Sequence, residues 1–281
     1  MRWRQGRQSS NVEDRRGRRV AGGMKIGGGA TLVILLVTML LGGDPTQVLQ
    51  LIGGEPSAEG ATTPAAPPDD ETGRFLSAVL AMTEDVWADL FAAEGSTYRP
   101  PTLVLFSQAV ESACGMGTAA TGPFYCPADQ TLYLDTSFFD ELERMGGAGD
   151  FAQAYVVGHE VGHHVQTLLG TAGQVRRRQS GARSDTEANR LQVAMELQAD
   201  CYAGVWAHHS NRRQRVLEPG DVQEGLSAAA AIGDDRLQRR AGREVTPDAF
   251  THGSSEQRQE WLETGLTTGQ PTACDTFGSG G

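Results

Sequence analysis

The chain has 281 residues, 39% of them hydrophobic, and a net charge of −11. That length holds one core with accessory segments, and the acidic balance argues against nucleic acid as a partner. The charge is uneven: residues 1–25 carry seven Arg and one Lys against two acids, a surplus of +6 that leaves −17 for the remainder.

In chain order, residues 1–25 read as a basic cytoplasmic tail. Residues 26–43 carry no charge, and their centre, Ala30 to Leu41, is strongly apolar. Eighteen residues of helix span about 27 Å, near the lower limit for crossing a bilayer. The basic flank favours a single pass with the N-terminus cytoplasmic, the cytoplasmic membrane as partner and the C-terminal bulk outside. A cleaved signal peptide is the rival reading, but no clear A-x-A site follows. Residues 44–72, rich in Pro, Ala, Gly, Thr and acids, read as a flexible linker.

Residues 73–281 form the predicted catalytic domain. Arg74 to Ala93 places apolar residues at helical spacing, and Pro100-Pro101 then breaks the chain. Thr102 to Phe106, Pro123 to Cys126 and Thr131 to Leu134 read as strands, with Thr131 to Leu134 a candidate sheet edge for pairing with an extended peptide. Ser137 to Met145 reads as a helix leading to the central motif. The Arg-rich stretch Val175 to Arg183 reads as a mobile surface loop, a solvated segment before a lid. Pro219 to Ile232 and Ser254 to Leu266 read as helices, the second opened by a Ser254–Gln257 capping box. The layout is α+β, mainly helical with a small sheet.

The decisive motif is His159-Glu160-Val161-Gly162-His163. Residues at i and i+4 share a helix face, so both imidazoles reach one metal ion, and Glu160 can project into the same site. The apolar run from Asp150 to Gly158 and the possible stop at Gly170 put the motif inside a helix of about five turns. The third ligand is sought elsewhere. Glu196 is the candidate, with Asp200 one turn later placed to accept the other ring N–H of a ligand His. Two acids pointing inward from an apolar helix are costly unless something positive meets them, which connects this helix to the His pair. His164 lies about 100° round from His163 and faces elsewhere. His208-His209 reads as structural.

Four stretches carry a family resemblance: Gly122 to Asp135, Gly158 to Gln166, Glu196 to Gly204 and Thr251 to Arg258. On these the chain, over residues 73 to 277, resembles the bacterial neutral zinc metallopeptidase family often called YpfJ-like. The resemblance implies a zincin-like fold, Glu as third ligand and peptide hydrolysis.

Four cysteines, Cys114, Cys126, Cys201 and Cys274, suit an oxidising compartment. Three pairings are open. Loop size favours Cys114 with Cys126 and Cys201 with Cys274.

The expected chemistry is hydrolysis of a peptide or protein substrate. Zn²⁺ on His159, His163 and Glu196 activates water, and Glu160 takes the proton and returns it to the leaving amine. His252, with Tyr202 as second choice, is the candidate donor to the developing oxyanion. Two alternatives belong to other classes: a membrane-tethered binding or scaffold protein with a vestigial metal site, and a hydrolase of a non-peptide amide in the cell envelope.

Overall fold

In the computed structural model the described residues are 1–17 and 68–278. The expected segment 26–43 and nearly all of the expected linker lie outside them. Among the described residues no helix is long and apolar enough to cross a membrane.

Residues 1–17, expected as part of a separate tail, are instead built into the same compact unit as residues 68–278. Trp3 packs edge-on against Phe75, with ring centroids 5.4 Å apart, and the Met1 ammonium meets Asp150 at 2.6 Å. Strand β1 (Val12–Asp14) pairs in parallel with β2 (Thr102–Phe106), Val12 opposite Leu103. A crossing that left the N-terminus on the opposite face of a membrane would pull β1 out of this sheet. The parallel pairing thus keeps residues 1–17 in one compact unit with residues 68–278. A strand of three residues, with Val12 alone in the core, is too short for an alternation to be read.

The main sheet has four strands, with β1 at one edge and β2 beside it. β6 (Thr131–Asp135) is parallel to β2, with Leu103 opposite Leu132. β5 (Phe124–Cys126) is antiparallel to β6, with Tyr125 opposite Leu132. The expectation of an edge at Thr131 to Leu134 is thus corrected: β6 is paired on both sides and fully buried, which its Leu-Tyr-Leu run suits. The edges of the sheet are β1 and β5. A hairpin of β3 (Ala109–Ser112) and β4 (Gly115–Thr118), not anticipated, precedes β5. The Cys114–Cys126 disulfide fastens its turn to β5.

Helices make up the rest. α1 (Glu71–Ala93) opens on an Asp70 cap whose carboxylate accepts from Gly73 N. α2 (Phe138–Arg144) follows β6 and leads to α3 (Asp150–Leu168), the helix of the His-Glu motif. The stretch expected as a mobile loop is helix α4 (Thr171–Ser180). Arg and Gln are good helix formers, and Val175 anchors the helix by packing with Leu191 and Met195. α5 (Asp185–Gln214) is 30 residues long. α6 (Asp221–Ala231), a short unanticipated α7 (Asp234–Arg240) and α8 (Ser255–Thr268) complete the chain. α8 opens on the predicted Ser254–Gln257 capping box. The principal core joins the inner face of the sheet (Leu103, Leu105, Leu132, Leu134) to α1, α3 and α5.

α3, α5 and α8 meet at unusually short range. A Cβ on Gly162 would lie 2.9 Å from Ala199 Cα, and one on Gly265 would lie 2.0 Å from Cys201 O. Glycine at these crossings lets backbones touch. Gly162 sits inside the motif itself, so its missing side chain brings Glu196 and Asp200 of α5 within reach of the histidines of α3.

Candidate metal centre

Tyr155, His159 and His163 are spaced by four along α3, so they line one face. From α5, Glu196 and Asp200 face them at the same spacing. The result is a compact donor set: His159 Nε2 lies 3.2 Å from Glu196 Oε2, and His163 Nε2 lies 3.5 Å from the same oxygen. One ligand atom from each of the three residues lies within 4.8 Å of the others. Glu160 is also buried and lines the same cleft, which has a volume of about 570 Å³.

The remaining ring nitrogens are fixed from outside the donor set. His159 Nδ1 is 2.8 Å from Asp200 Oδ1. A carboxylate only accepts, so Nδ1 carries a hydrogen and Nε2 is the nitrogen that can bind a metal once it gives up its own proton. Arg258 Nη2 also lies 3.3 Å from this Nδ1, but a protonated Nδ1 cannot accept from it. Arg258 donates instead to Asp200, through Nε at 2.8 Å and Nη2 at 2.9 Å, and to the Tyr155 hydroxyl at 3.1 Å. The Tyr155 hydroxyl in turn donates to Asp200 Oδ1 at 2.6 Å. Asp200 is wholly buried and Arg258 nearly so. This is a bidentate ion pair out of water, closed by two further hydrogen bonds.

His163 is held by uncharged groups. Its Nδ1 lies 2.9 Å from Gln166 Oε1. The Gln166 amide donates to Met195 O and to Gln198 Oε1, at 2.8 and 3.1 Å. Gln198 donates to Cys274 O at 2.9 Å, and Cys274 is tied to Cys201 of α5 by the second disulfide. Both disulfides match the pairing that loop size favoured.

Opposite charges meet within the cluster of His159, His163, Glu196 and Asp200. Burial alone would lower the His159 pKa, but the charge and hydrogen bond of Asp200, helped by Glu196, carry it up to about 10. Burial would raise the Glu196 carboxyl, yet the two imidazoles hold it well below the usual range. Burial pushes the Glu160 carboxyl up, against the pull of His159 and His163.

His252 lies in the same cleft wall and is half exposed. Its Nδ1 is 3.1 Å from Asp234 Oδ1 and 3.1 Å from Thr251 Oγ1. Asp234 Oδ2 also accepts from the backbone N–H of Thr251, His252 and Gly253. Tyr202, the second choice for that role, is corrected: it is buried against Trp87, ring centroids 5.4 Å apart, and is not among the residues lining the cleft. It sits two positions past Asp200 on α5 and faces α1. His164 bridges the Tyr125 hydroxyl and Arg99 O, and His208 and His209 bond the carbonyls of Leu266 and Gly269, so all three have structural partners.

A family model described as "Putative neutral zinc metallopeptidase" matches residues 1–277. The chain belongs to this family. It is 47% identical over 288 aligned positions, 99% of each chain, to "Uncharacterized protein YpfJ" of Escherichia coli (strain K12). It is 41% identical over 257 positions, 85% of this chain and 84% of the other, to "Uncharacterized protein Rv2575" of Mycobacterium tuberculosis (strain ATCC 25618 / H37Rv). No solved structure matches. The match begins at residue 1, so the segment that forms β1 is part of the domain the family shares. Zinc is the family's metal, and the donor set suits it: two imidazole nitrogens and one carboxylate oxygen, with both histidines oriented by partners on Nδ1.

Sequence reasoning missed Arg258, Tyr155, Gln166 and Gln198. Three carried a spacing signal: Tyr155 is four before His159, Gln166 three after His163, and Gln198 lies between the two acids of α5. Arg258 carried another, since a cation in the first turn of a helix opposes the dipole and needs a local reason.

Proposed function

We propose that this protein is a zinc-dependent peptidase that cleaves peptide bonds within proteins. The observation that carries the reading is the convergence of His159, His163 and Glu196 within 4.8 Å in an open cleft, with Glu160 beside them. A purely structural metal site needs neither the open cleft nor the adjacent carboxylate.

Zinc held by these three residues supplies Lewis acidity and a water of lowered pKa. Glu160 takes the proton of the attacking water and returns it to the leaving amine. Asp200 holds the His159 ring through Nδ1, and Gln166 does the same for His163. His252 donates through Nε2–H to the developing oxyanion, with its ring held at Nδ1 by Asp234. β5 is paired on one side only and contributes Phe124 and Tyr125 to the cleft. Its open edge suits an extended substrate backbone. His164 ties that strand to α3 through the Tyr125 hydroxyl, 3.1 Å away.

The zinc-loaded Glu160→Gln protein tests the reading. Zinc content should persist while hydrolysis of unfolded casein falls about 10²- to 10⁴-fold. Unchanged hydrolysis rejects Glu160 as the base. Glu196→Ala should empty the site, and full zinc occupancy rejects it as a ligand. Running peptidoglycan fragments beside casein separates peptide from envelope-amide hydrolysis.

The proposed compartment lies outside the cytoplasm, with residues 1–17 on the same side as the rest of the domain. Two disulfides with no free cysteine support this. Trapping thiols in freshly lysed cells checks it, because four alkylated cysteines reject the reading.

A further inference from the structure

The two ends of the cleft differ in chemistry. Its floor runs along α3 from Tyr155 to Thr167, about 18 Å of helix. That length holds about five residues of extended peptide. The metal-binding residues occupy its middle.

Towards Tyr155 the wall is apolar. Phe138 comes from α2, Val156 from α3, Ile232 from the end of α6 and Leu237 from α7. The C-terminal ends of α2 and α7 touch, where Arg240 Nη1 reaches Arg144 O at 3.5 Å. Leu237 is 36% exposed, and among the exposed large hydrophobic side chains of the described residues it is the one that lines this cleft. Phe138 and Ile232 are also partly open to solvent. Apolar surface gathered in a concave wall, rather than scattered singly, marks a place where an apolar group is bound.

Towards Thr167 the chemistry reverses. α4 begins three residues after α3 ends, and its Arg176 enters the cleft. Arg177, Arg178 and Arg183 follow, all exposed or half exposed. None of these four guanidinium groups has an acidic partner among the described residues, whereas Arg7, Arg16, Arg213, Arg239 and Arg258 are each salt-bridged. In a chain of net charge −11, four exposed arginines within eight residues beside the site form a concentrated cationic face that draws acidic groups.

We propose that the cleft selects a bipartite peptide. A bulky apolar side chain such as Leu, Phe or Met enters the Phe138–Leu237 recess. An acidic side chain about four residues away meets Arg176. The bond facing the metal site lies between them. This rests on the peptidase reading and names its substrate class.

The test uses binding, so it stands apart from turnover. Full-length, zinc-loaded Glu160→Gln protein is titrated with four fluorescein-labelled peptides that combine Leu or Ser at the first position with Asp or Lys at the second. The Leu/Asp peptide should bind tightest, and each replacement should weaken binding about tenfold. Leu237→Asp should erase the Leu preference and leave the Asp preference, while Arg176→Glu should turn the Asp preference into one for Lys. Both side chains face solvent, so neither change threatens the core. Equal binding of all four peptides, or binding of none, overturns the proposal. Failure of the wild-type protein on casein with these preferences intact would instead count against hydrolysis and leave the recognition standing.

Discussion

The two metal-facing histidines are held by opposite means. His159 is fixed by a buried ion pair, Asp200 with Arg258, closed by the Tyr155 hydroxyl. His163 is fixed by a relay of neutral amides, Gln166 to Gln198 to the Cys274 carbonyl. The charged clamp depends on α8 lying against α5. The amide relay depends on the C-terminal tail staying tied down. One metal site therefore reads out two separate parts of the fold, and a perturbation of either part should reach zinc through a different histidine.

The largest expected effect lies on the charged side. Arg258→Leu leaves Asp200 buried without its cation, a loss of about 3–5 kcal/mol. Zinc affinity should fall about 10- to 100-fold, because the ring of His159 loses its support. Urea unfolding and zinc titration measure the two effects. Adding Asp200→Asn to the variant should recover part of the stability, since no buried charge is then left alone, while zinc affinity stays low. Wild-type zinc affinity in Arg258→Leu would remove this ion pair from the account of the site.

The disulfides come next. Cys201 and Cys274 are 73 positions apart, and replacing both with Ser should cost about 4 kcal/mol from chain entropy. Cys114 and Cys126 are 12 apart, and the same change there should cost about 3 kcal/mol. Stability hardly separates them. Zinc does: only the first pair anchors the carbonyl that ends the His163 relay, so only its loss should weaken zinc binding. Equal zinc affinity in the two double variants would show that the relay does not depend on the tail.

These contrasts also explain what could be read from the sequence. The inner wall was legible, because i, i+4 spacing on two long helices fixes which side chains share a face: His159 with His163, Glu196 with Asp200. The apolar cost of the two acids then joined the helices. Arg258 and the Gln166–Gln198 relay left only a trace in helix spacing and first-turn charge, because their partners sit across helix crossings that depend on Gly162 and Gly265. The outer wall was misread for another reason. Arg density from Val175 to Arg183 looks like solvent-facing loop, yet one buried Val175 against Leu191 and Met195 suffices to dock it as helix. β1 escaped because three residues carry no readable alternation, and the interior place of β6 is hidden because its parallel partner β2 ends about 25 residues earlier, while only β5 is its neighbour in sequence.

A smaller effect should come from the relay's first member. Gln166→Leu fills similar space but leaves His163 Nδ1–H, Met195 O and one side of Gln198 without their partner. Unsatisfied groups of this kind cost about 1–3 kcal/mol. Zinc affinity should fall, though less than in Arg258→Leu, because His159 remains clamped. Should the two variants lose zinc equally, the distinction between a charged and a neutral clamp would carry no functional weight.

The smallest effect lies in the cleft mouth, at Asp234. Burial would raise its carboxyl, but the bond from His252 and the backbone N–H donors of the loop hold it below its ordinary value. A depressed folded pKa means that the carboxylate's contribution is present above the unfolded value of about 3.9 and is lost as pH falls through the folded one. Asp234→Asn should therefore cost about 1 kcal/mol at neutral pH, and the gap to wild type should close below about pH 4. The loop carries His252 but no metal ligand, so zinc affinity should stay at the wild-type value while casein hydrolysis falls. Zinc loss in this variant would mean that the mouth and the two histidine clamps are a single unit, and His252 would then be read as part of the metal site's support rather than as a donor to the substrate.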